Sequence, residues 1–188
     1  MSRNQLMKEL AQWLAPFVSG CEIAMNKSVL YAVPFDDDGQ ISLGVDDAGE
    51  PVRGGGTGFE QDILVFERVQ WGGTSIIPRV IAKVKFGGVT TDETIVYSEK
   101  ACRIRTVYPF VRYGLVLGEM DKIPARVLRL GQEFDFITLV SYPMPQSEIE
   151  KVGNLFREEL QASRDLGAML SGRTEVATLW RSLRATFK

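Results

Sequence analysis

Apolar residues recur at helical spacing at the start of the chain. Ser2 followed three residues later by Gln5 is the pattern of a capping box, in which a serine hydroxyl accepts a backbone hydrogen bond of the first turn. The apolar stripe within residues 2–17 consists of Leu6, Leu10, Leu14 and Phe17. This spacing predicts an N-terminal amphipathic helix with one buried face.

Short apolar runs bounded by turn residues follow this helix, as is typical of strands. Residues 29–35 and 40–45 flank the polar turn Asp36-Asp37-Asp38-Gly39, and this arrangement predicts a hairpin. Residues 21–27 are ambiguous, because Ser19 and Glu22 could cap another helical turn.

The middle of the chain contains two longer strand patterns. A polar, glycine-rich loop over residues 46–58 leads into an apolar run at residues 60–66. A second run covers residues 78–86, and the two are joined near Trp71-Gly72-Gly73. We expect these two runs to be adjacent strands.

Helical and strand patterns alternate in the second half. Thr90 with Glu93 forms another capping box and predicts a helix that ends before Pro109. Ser147 with Glu150 predicts the cap of a long amphipathic helix. The other predicted elements are buried strands at residues 112–117 and 134–140, and a last helix over residues 176–187. This order predicts an α/β fold with a mixed central sheet flanked by helices and a helical C-terminus.

Composition narrows the chemistry that the fold could support. The chain has 188 residues, 45% of them hydrophobic, enough for a single domain with a sizeable core. It contains no histidine, which excludes Ser-His-Asp and Cys-His catalysis and metal sites built on imidazole. Two cysteines without histidine cannot form a four-ligand zinc site. Acid–base or metal chemistry would therefore rely on Asp, Glu, Lys or Tyr.

Two further features bear on location. No apolar run approaches the roughly 20 residues that span a bilayer, and residues 1–8 lack the apolar core of a signal peptide. Cys21 and Cys102 are too few for a disulfide framework, as expected in a reducing compartment. We therefore expect a cytoplasmic protein without a membrane partner.

A carboxylate and two ammonium groups fall on the two central strands. Side chains alternate along a strand, so Lys83 and Lys85 share one face of the second strand. If the first strand pairs beside it, Asp62 would lie near both lysines. Phosphodiester cleavage uses a carboxylate that holds a divalent metal and a cation that stabilises charge and orients water. Asp62, Lys83 and Lys85 are therefore the candidate catalytic residues.

These residues resemble the motif of the PD-(D/E)xK nuclease superfamily, which includes many restriction endonucleases. Gln61-Asp62 stands where the family has Pro-Asp, and Lys85 stands on its lysine. Tyr97-Ser98-Glu99-Lys100-Ala101 also resembles the restriction-endonuclease-like branch. The likeness runs from about residue 59 to residue 118, and it implies a nuclease-like core at about residues 20–142 followed by C-terminal helices at about 146–187.

Lys83 occupies the position of the family's second acid. A lysine cannot bind metal, so three explanations stay open: the acid is lost, another residue supplies it, or the site is altered. Glu60, Glu22 and Glu99 are candidates for a relocated acid. The resemblance implies a Mg²⁺ or Mn²⁺ site formed by Asp62, the backbone carbonyl of Val84, and Glu22 or Glu99, with the metal bound weakly or not at all.

The resemblance implies a metal-dependent phosphodiesterase that acts on DNA. The alternative is a catalytically degenerate member of the same fold that serves as a DNA-binding or protein-interaction module. A third hypothesis is an unrelated α/β domain in which the Asp–Lys spacing is accidental. Phosphate contacts would come from Lys83, Lys85, Lys100 and Arg103, and the chain could act as a homodimer. The net charge of −2 is less basic than is usual for a protein that coats nucleic acid.

Overall fold

The structure is a computed structural model that describes residues 2–33, 38, 57–70, 74–174 and 176. Within these residues, five strands form one sheet in the order β1-β2-β3-β4-β5. In chain order the elements are α1 (Arg3–Leu14), a 3-10 turn (Ala15–Phe17), β1 (Glu22–Leu30), β2 (Gly58–Gln70), β3 (Thr74–Phe86), α2 (Thr91–Val107), β4 (Arg112–Gly118), α3 (Ala125–Leu130), β5 (Phe136–Val140) and α4 (Gln146–Leu170).

The sheet is mixed. Strands β1, β2 and β3 pair antiparallel, whereas β3, β4 and β5 pair parallel. Parallel neighbours need a crossover connection, and α2 and α3 lie in the two connections that link β3 to β4 and β4 to β5. This architecture confirms the predicted α/β class, its mixed central sheet and its C-terminal helix.

Helices cover both faces of the sheet. On one face, which we call the α1–α4 face, Leu10 and Phe156 from these two helices pack with Ile63 and Val84. On the other, the α2 face, Ile104 packs with residues such as Ile81 from the sheet. Burying both faces is what α/β sheets require, and it explains why the central strands are continuous apolar runs.

Two predicted helix starts match the structure. The N–H of Gln5 donates to the Ser2 hydroxyl at 3.3 Å, so Ser2 caps α1. Thr90 and Glu93 form a complete capping box at the start of α2. Gly87 and Gly88, with φ of 76° and 136°, make the turn that brings this helix start beside the end of β3.

Other predicted boundaries were wrong. Residues 21–27, which the sequence left ambiguous, belong largely to β1. Helix α4 begins one residue before Ser147, directly after Pro145, with no side-chain cap. Glu148 instead accepts the backbone N–H of Ser141 at 2.7 Å. β5 starts at Phe136, because Phe134 lies in a turn whose N–H donates to the Gly131 carbonyl. The six residues of α3 were too few for a periodic signal to reveal them.

Several predicted elements fall outside the described residues. The structure describes the predicted hairpin at residues 29–45 only as far as Val33 and at Asp38. It does not describe the connection at Trp71-Gly72-Gly73 and, of the last helix predicted over residues 176–187, it describes only Val176. Val29 and Leu30 are the last residues of β1. Among the helices of the described ranges, none combines the length and apolar character that a bilayer crossing requires.

Candidate functional site

Strands β2 and β3 separate where the motif residues lie. Their backbone pairing ends at Ile63 and Ala82. From Asp62 towards the start of β2, this strand is paired, among the strands that the structure describes, only with β1. After Ala82, β3 continues beside β4 as far as Phe86. We call this opening, formed by Asp62 on β2 and residues 83–85 on β3, the β2–β3 fork. The prediction that the two motif strands are adjacent is confirmed.

The side-chain alternation of β2 breaks at Asp62. Gln61 accepts a hydrogen bond from the Tyr113 hydroxyl at 3.2 Å, and Tyr113 belongs to the core of the α2 face. Ile63 belongs to the core of the α1–α4 face, although residues two apart share a face in a regular strand. Asn26, which lies opposite Asp62 in the β1–β2 register, has a φ of 55°. The Asp62 side chain is directed towards β3, where it contacts Lys83 and the Val84 backbone.

Asp62 is the acceptor at the centre of the fork. Its Oδ2 accepts the backbone N–H of Val84 at 2.8 Å, and its Oδ1 accepts from Lys83 Nζ at 3.0 Å. A second cation, the Arg3 guanidinium, forms an ion pair with the same Oδ1. The Asp62 and Lys83 residues are only 3% and 6% exposed, so these two residues form a buried ion pair, to which the partly exposed Arg3 is added.

Arg3 bridges two oxygens of the fork. Its Nε donates to the Val84 carbonyl at 3.0 Å, while its terminal nitrogen pairs with Asp62. The guanidinium therefore lies between the Asp62 carboxylate and the Val84 carbonyl, the two groups to which the resemblance assigned a metal. Arg3 was not among the predicted site residues.

One sequence signal could have indicated that Arg3 has a partner. It is the first residue of α1, whose first turn contains no acidic residue. A cation at a helix N-terminus is disfavoured by the helix dipole. An arginine at this position is more readily explained when an anion elsewhere in the fold pairs with it.

Burial and charge act in opposite directions on the Asp62–Lys83 pair. Burial alone would raise the pKa of Asp62, but the charge of Lys83 and the hydrogen bonds from Arg3 and Val84 lower it below its usual value. Burial lowers the pKa of Lys83, and attraction to Asp62 offsets this only in part. The pKa of Asp62 and the pKa of Lys83 are therefore both lowered, because Asp62 has three donors whereas Lys83 shares its one carboxylate with Arg3.

Lys83 also contacts the backbone of Glu60 on β2 and the ring of Tyr97 on α2. Its Nζ donates to the Glu60 backbone carbonyl at 2.7 Å and lies 5.8 Å from the centroid of the Tyr97 ring. The Glu60 side chain itself is exposed. Glu60 therefore contributes to the fork through its backbone.

Lys85 is held by the start of α2. It forms an ion pair with Glu93, the acid of the capping box, and its Nζ lies 5.4 Å from the Tyr97 ring centroid. Burial opposes its charge, but hydrogen bonds to Glu93 and Tyr97 outweigh this and raise the pKa of Lys85. Lys85 is on the strand adjacent to Asp62, as predicted, with an anionic partner of its own.

The two preferred candidates for a second acid have other partners. Glu22 receives two hydrogen bonds from Arg68, at 2.6 and 3.0 Å. Glu99 accepts from Arg103 at 2.8 Å, one helical turn away. Both ion pairs are exposed, whereas Asp62 is paired with Arg3, Lys83 and Val84.

The residues of the fork do not fit a divalent metal. Mg²⁺ requires oxygen ligands in near-octahedral geometry. In the part of the chain that the structure describes, no group of three or more acidic, cysteine or histidine side chains could hold a metal ion. Both carboxylate oxygens of Asp62 already accept hydrogen bonds, and the Val84 carbonyl accepts one from Arg3.

The basic side chains of α2 and of the start of β4 are partly neutralised by acids. Arg105 pairs with Glu133 and Asp135, and Arg112 pairs with Asp135 and Glu159. Lys100 lies over the Phe59 ring, 4.9 Å from its centroid. Arg103 is exposed on α2, and Lys100 is partly exposed beside the sheet.

Comparisons with known proteins add no relative. No family model matches the chain, and neither the curated proteins nor the solved structures contain a significant match. The likeness to the nuclease superfamily therefore rests on the motif residues themselves.

Proposed function

We propose that this chain is a catalytically degenerate member of the PD-(D/E)xK fold that binds DNA without cleaving it. One observation carries the proposal: Asp62, the acid that would hold the catalytic metal, is neutralised by Lys83 and Arg3. A buried acid paired in this way acts as a structural anion. Cytoplasmic location is part of the proposal, and Cys21 and Cys102 are both free thiols.

Electrostatics favours this proposal over a hydrolytic centre. Two like unit charges about 4 Å apart repel by about 4 kcal/mol at an effective dielectric near 20. A divalent ion at Asp62 carries two charges, so it would meet about twice this repulsion, about 8 kcal/mol, from a unit charge at that distance. Lys83 and Arg3 each provide such a charge. Neither Glu22 nor Glu99 is positioned to offset it, since each is paired on the protein surface.

The proposed DNA contacts lie along α2 and at the end of β3, which precedes this helix. Arg103 is 58% exposed, and its partner Glu99 is 56% exposed. An exposed ion pair contributes at most about 1 kcal/mol, so a phosphate can replace Glu99 at little cost. Lys100 is partly exposed, and Lys85 lies near the start of the same helix. Together these cations provide a phosphate-binding surface on a chain whose net charge is slightly negative.

DNA binding measured against salt tests the proposal. We expect affinity for a DNA duplex, measured by fluorescence anisotropy, to fall as salt rises, because each neutralised phosphate releases counterions. Lys100→Gln and Arg103→Gln should each reduce the slope of log affinity against log salt by about 1. The matched control is Lys151→Gln, an exposed position on α4, across the sheet from α2.

Two results would contradict this surface. One is an affinity that stays flat from low to moderate salt, and the other is an equal effect of the Lys151 control. The absence of both DNA binding and any divalent-metal effect would favour an unrelated α/β domain. The proposal includes a homodimer, which would present two such surfaces to DNA. Sedimentation of the free and DNA-bound protein measures whether this dimer forms.

A metal-dependent phosphodiesterase is the second candidate. The observation that favours it is that the Asp62 carboxylate and the Val84 carbonyl converge on one cation, Arg3. Cleavage of supercoiled plasmid with Mg²⁺ or Mn²⁺, lost with chelator and in Asp62→Asn, would favour this candidate. The first proposal predicts intact plasmid at protein concentrations that saturate DNA binding.

A further inference from the structure

We infer that the Arg3 guanidinium is the resident cation of the β2–β3 fork and that, through it, the N-terminus of α1 excludes divalent metal from the site. Arg3 occupies the space between the Asp62 carboxylate and the Val84 carbonyl. This inference concerns the cation that these oxygens bind, and it holds whether or not the protein binds DNA.

The backbone of β3 explains why a cation is needed there. In a strand, the N–H and C=O of one residue point towards the same neighbour. At Val84 that neighbour would be β2, but the pairing with β2 has ended two residues earlier, at Ala82. Asp62 accepts the free N–H at 2.8 Å, and Arg3 donates to the free carbonyl at 3.0 Å. The two side chains together replace the missing backbone partners, as buried polar groups require.

The charges of the cluster make Arg3 the exchangeable member. Lys83 is held by both Asp62 and the Glu60 carbonyl and is almost fully buried. The Arg3 side chain is 44% exposed, so it can be replaced with little disturbance of the core. Lys83 and Arg3 surround a single carboxylate, and both must be removed before the oxygens of the fork can attract a divalent ion.

This geometry gives a specific expectation for the missing acid. Restoring the acid alone, with Lys83→Glu, places a second carboxylate beside Asp62 while Arg3 remains. The guanidinium has several donors in a fixed planar arrangement, so it would bridge the two carboxylates and continue to exclude metal. Only the double variant Arg3→Gln/Lys83→Glu offers two free carboxylates and a free carbonyl.

A calorimetric Mn²⁺ titration of four proteins tests the inference without any DNA. We expect no binding at millimolar Mn²⁺ in the wild type, Arg3→Gln or Lys83→Glu. The double variant should bind Mn²⁺ one to one, with a Kd at least tenfold below the highest Mn²⁺ concentration at which the other proteins show no binding. The control is Lys8→Gln/Lys83→Glu, which removes one exposed positive charge from α1 away from the fork. It should behave like Lys83→Glu alone. Adding Asp62→Asn to the double variant should abolish binding.

Three outcomes would overturn the inference. The first is that Lys83→Glu alone binds Mn²⁺ as tightly as the double variant, and the second is that the Lys8→Gln/Lys83→Glu control does so. The third is that the double variant, shown by circular dichroism to be folded, binds no metal.

The wild type offers a measurement that needs no variant. The Arg3 Nε–H, bonded to Val84, should give a slowly exchanging NMR signal that Mn²⁺ does not broaden, and exchange as fast as that of a free arginine would contradict the inference. Because the titration contains no DNA, its failure is distinguishable from failure of the proposed function.

Discussion

At the scale of single residues, Asp62 has the environment of a structural anion. Active-site groups are often held in arrangements that cost stability and are repaid in function. Asp62 instead has a donor for each oxygen, and the buried Lys83 depends on it for its counter-charge. Its lowered pKa reflects the same donors. The residue that most resembles a catalytic acid is thus the one that holds the fork together.

Removing the Asp62 charge should therefore destabilise the fold. Asp62→Asn leaves the buried Lys83 ammonium without an anion, and loss of one partner of a buried ion pair costs about 3–5 kcal/mol. Urea unfolding at neutral pH measures this change. The control is Glu99→Gln, which breaks an exposed pair and should cost less than about 1 kcal/mol. An Asp62→Asn protein as stable as the wild type would show that the carboxylate does not stabilise the fold.

At the scale of elements, side-chain ion pairs tie the helices to the strands. Arg3 attaches α1 to the fork, and Glu93 attaches α2 to the end of β3 through Lys85. On the α1–α4 face, Glu67 of β2 accepts from Arg79 of β3 at 2.6 Å and from Arg164 of α4 at 2.7 Å. The pairs made by Arg3, Glu93 and Arg164 each join a helix to the sheet, whereas the Glu67–Arg79 pair joins two strands.

The Glu67 cluster should contribute stability that depends on pH. Burial opposes its charge, but the hydrogen bonds from Arg79 and Arg164 outweigh this and lower the pKa of Glu67 below its ordinary value. A lowered pKa means that the contribution is complete above about pH 4.5 and is lost as pH falls through the lower folded value. Glu67→Gln should cost about 1.5–3 kcal/mol at pH 7.

Urea unfolding of Glu67→Gln and wild type from pH 7 to pH 3 checks this expectation. The difference between the two proteins should stay constant down to about pH 5 and then shrink. A difference that grows towards low pH would have the opposite sign and would contradict the assigned role of Glu67. Glu150→Gln, at an exposed position on α4, serves as the control.

Local signals predicted the elements better than they predicted the site. The capping box at Thr90 and the apolar strand runs depend on residues a few positions apart, so both could be recognised in the sequence. The bond from Arg3 to Val84 joins residues 81 positions apart, and no periodic pattern marks such a pair. Asp62 was found because its candidate strand was expected beside the one that carries Lys83 and Lys85. The change of face between Gln61 and Ile63 could not be predicted from alternation alone.

At the scale of the whole molecule, the mixed sheet creates the site by letting β2 and β3 separate. Strand β3 continues into its parallel pairing with β4 after its antiparallel pairing with β2 has ended. The resulting gap exposes backbone groups that need partners. In this chain, two cations and one carboxylate supply them. Our proposal is that these side chains replace the metal that a nuclease of this fold would hold in the gap.

The stability of the wild-type protein with and without Mn²⁺ tests this replacement most directly. A ligand that binds only the folded state raises the free energy of unfolding, by about 2.7 kcal/mol when its concentration is a hundred times its Kd. Because Arg3 and Lys83 already occupy the fork, we predict that the free energy of unfolding in urea at neutral pH is unchanged by millimolar Mn²⁺. A clear increase with Mn²⁺ that disappears in Asp62→Asn would contradict the account, since it would place a metal on Asp62 in the native protein.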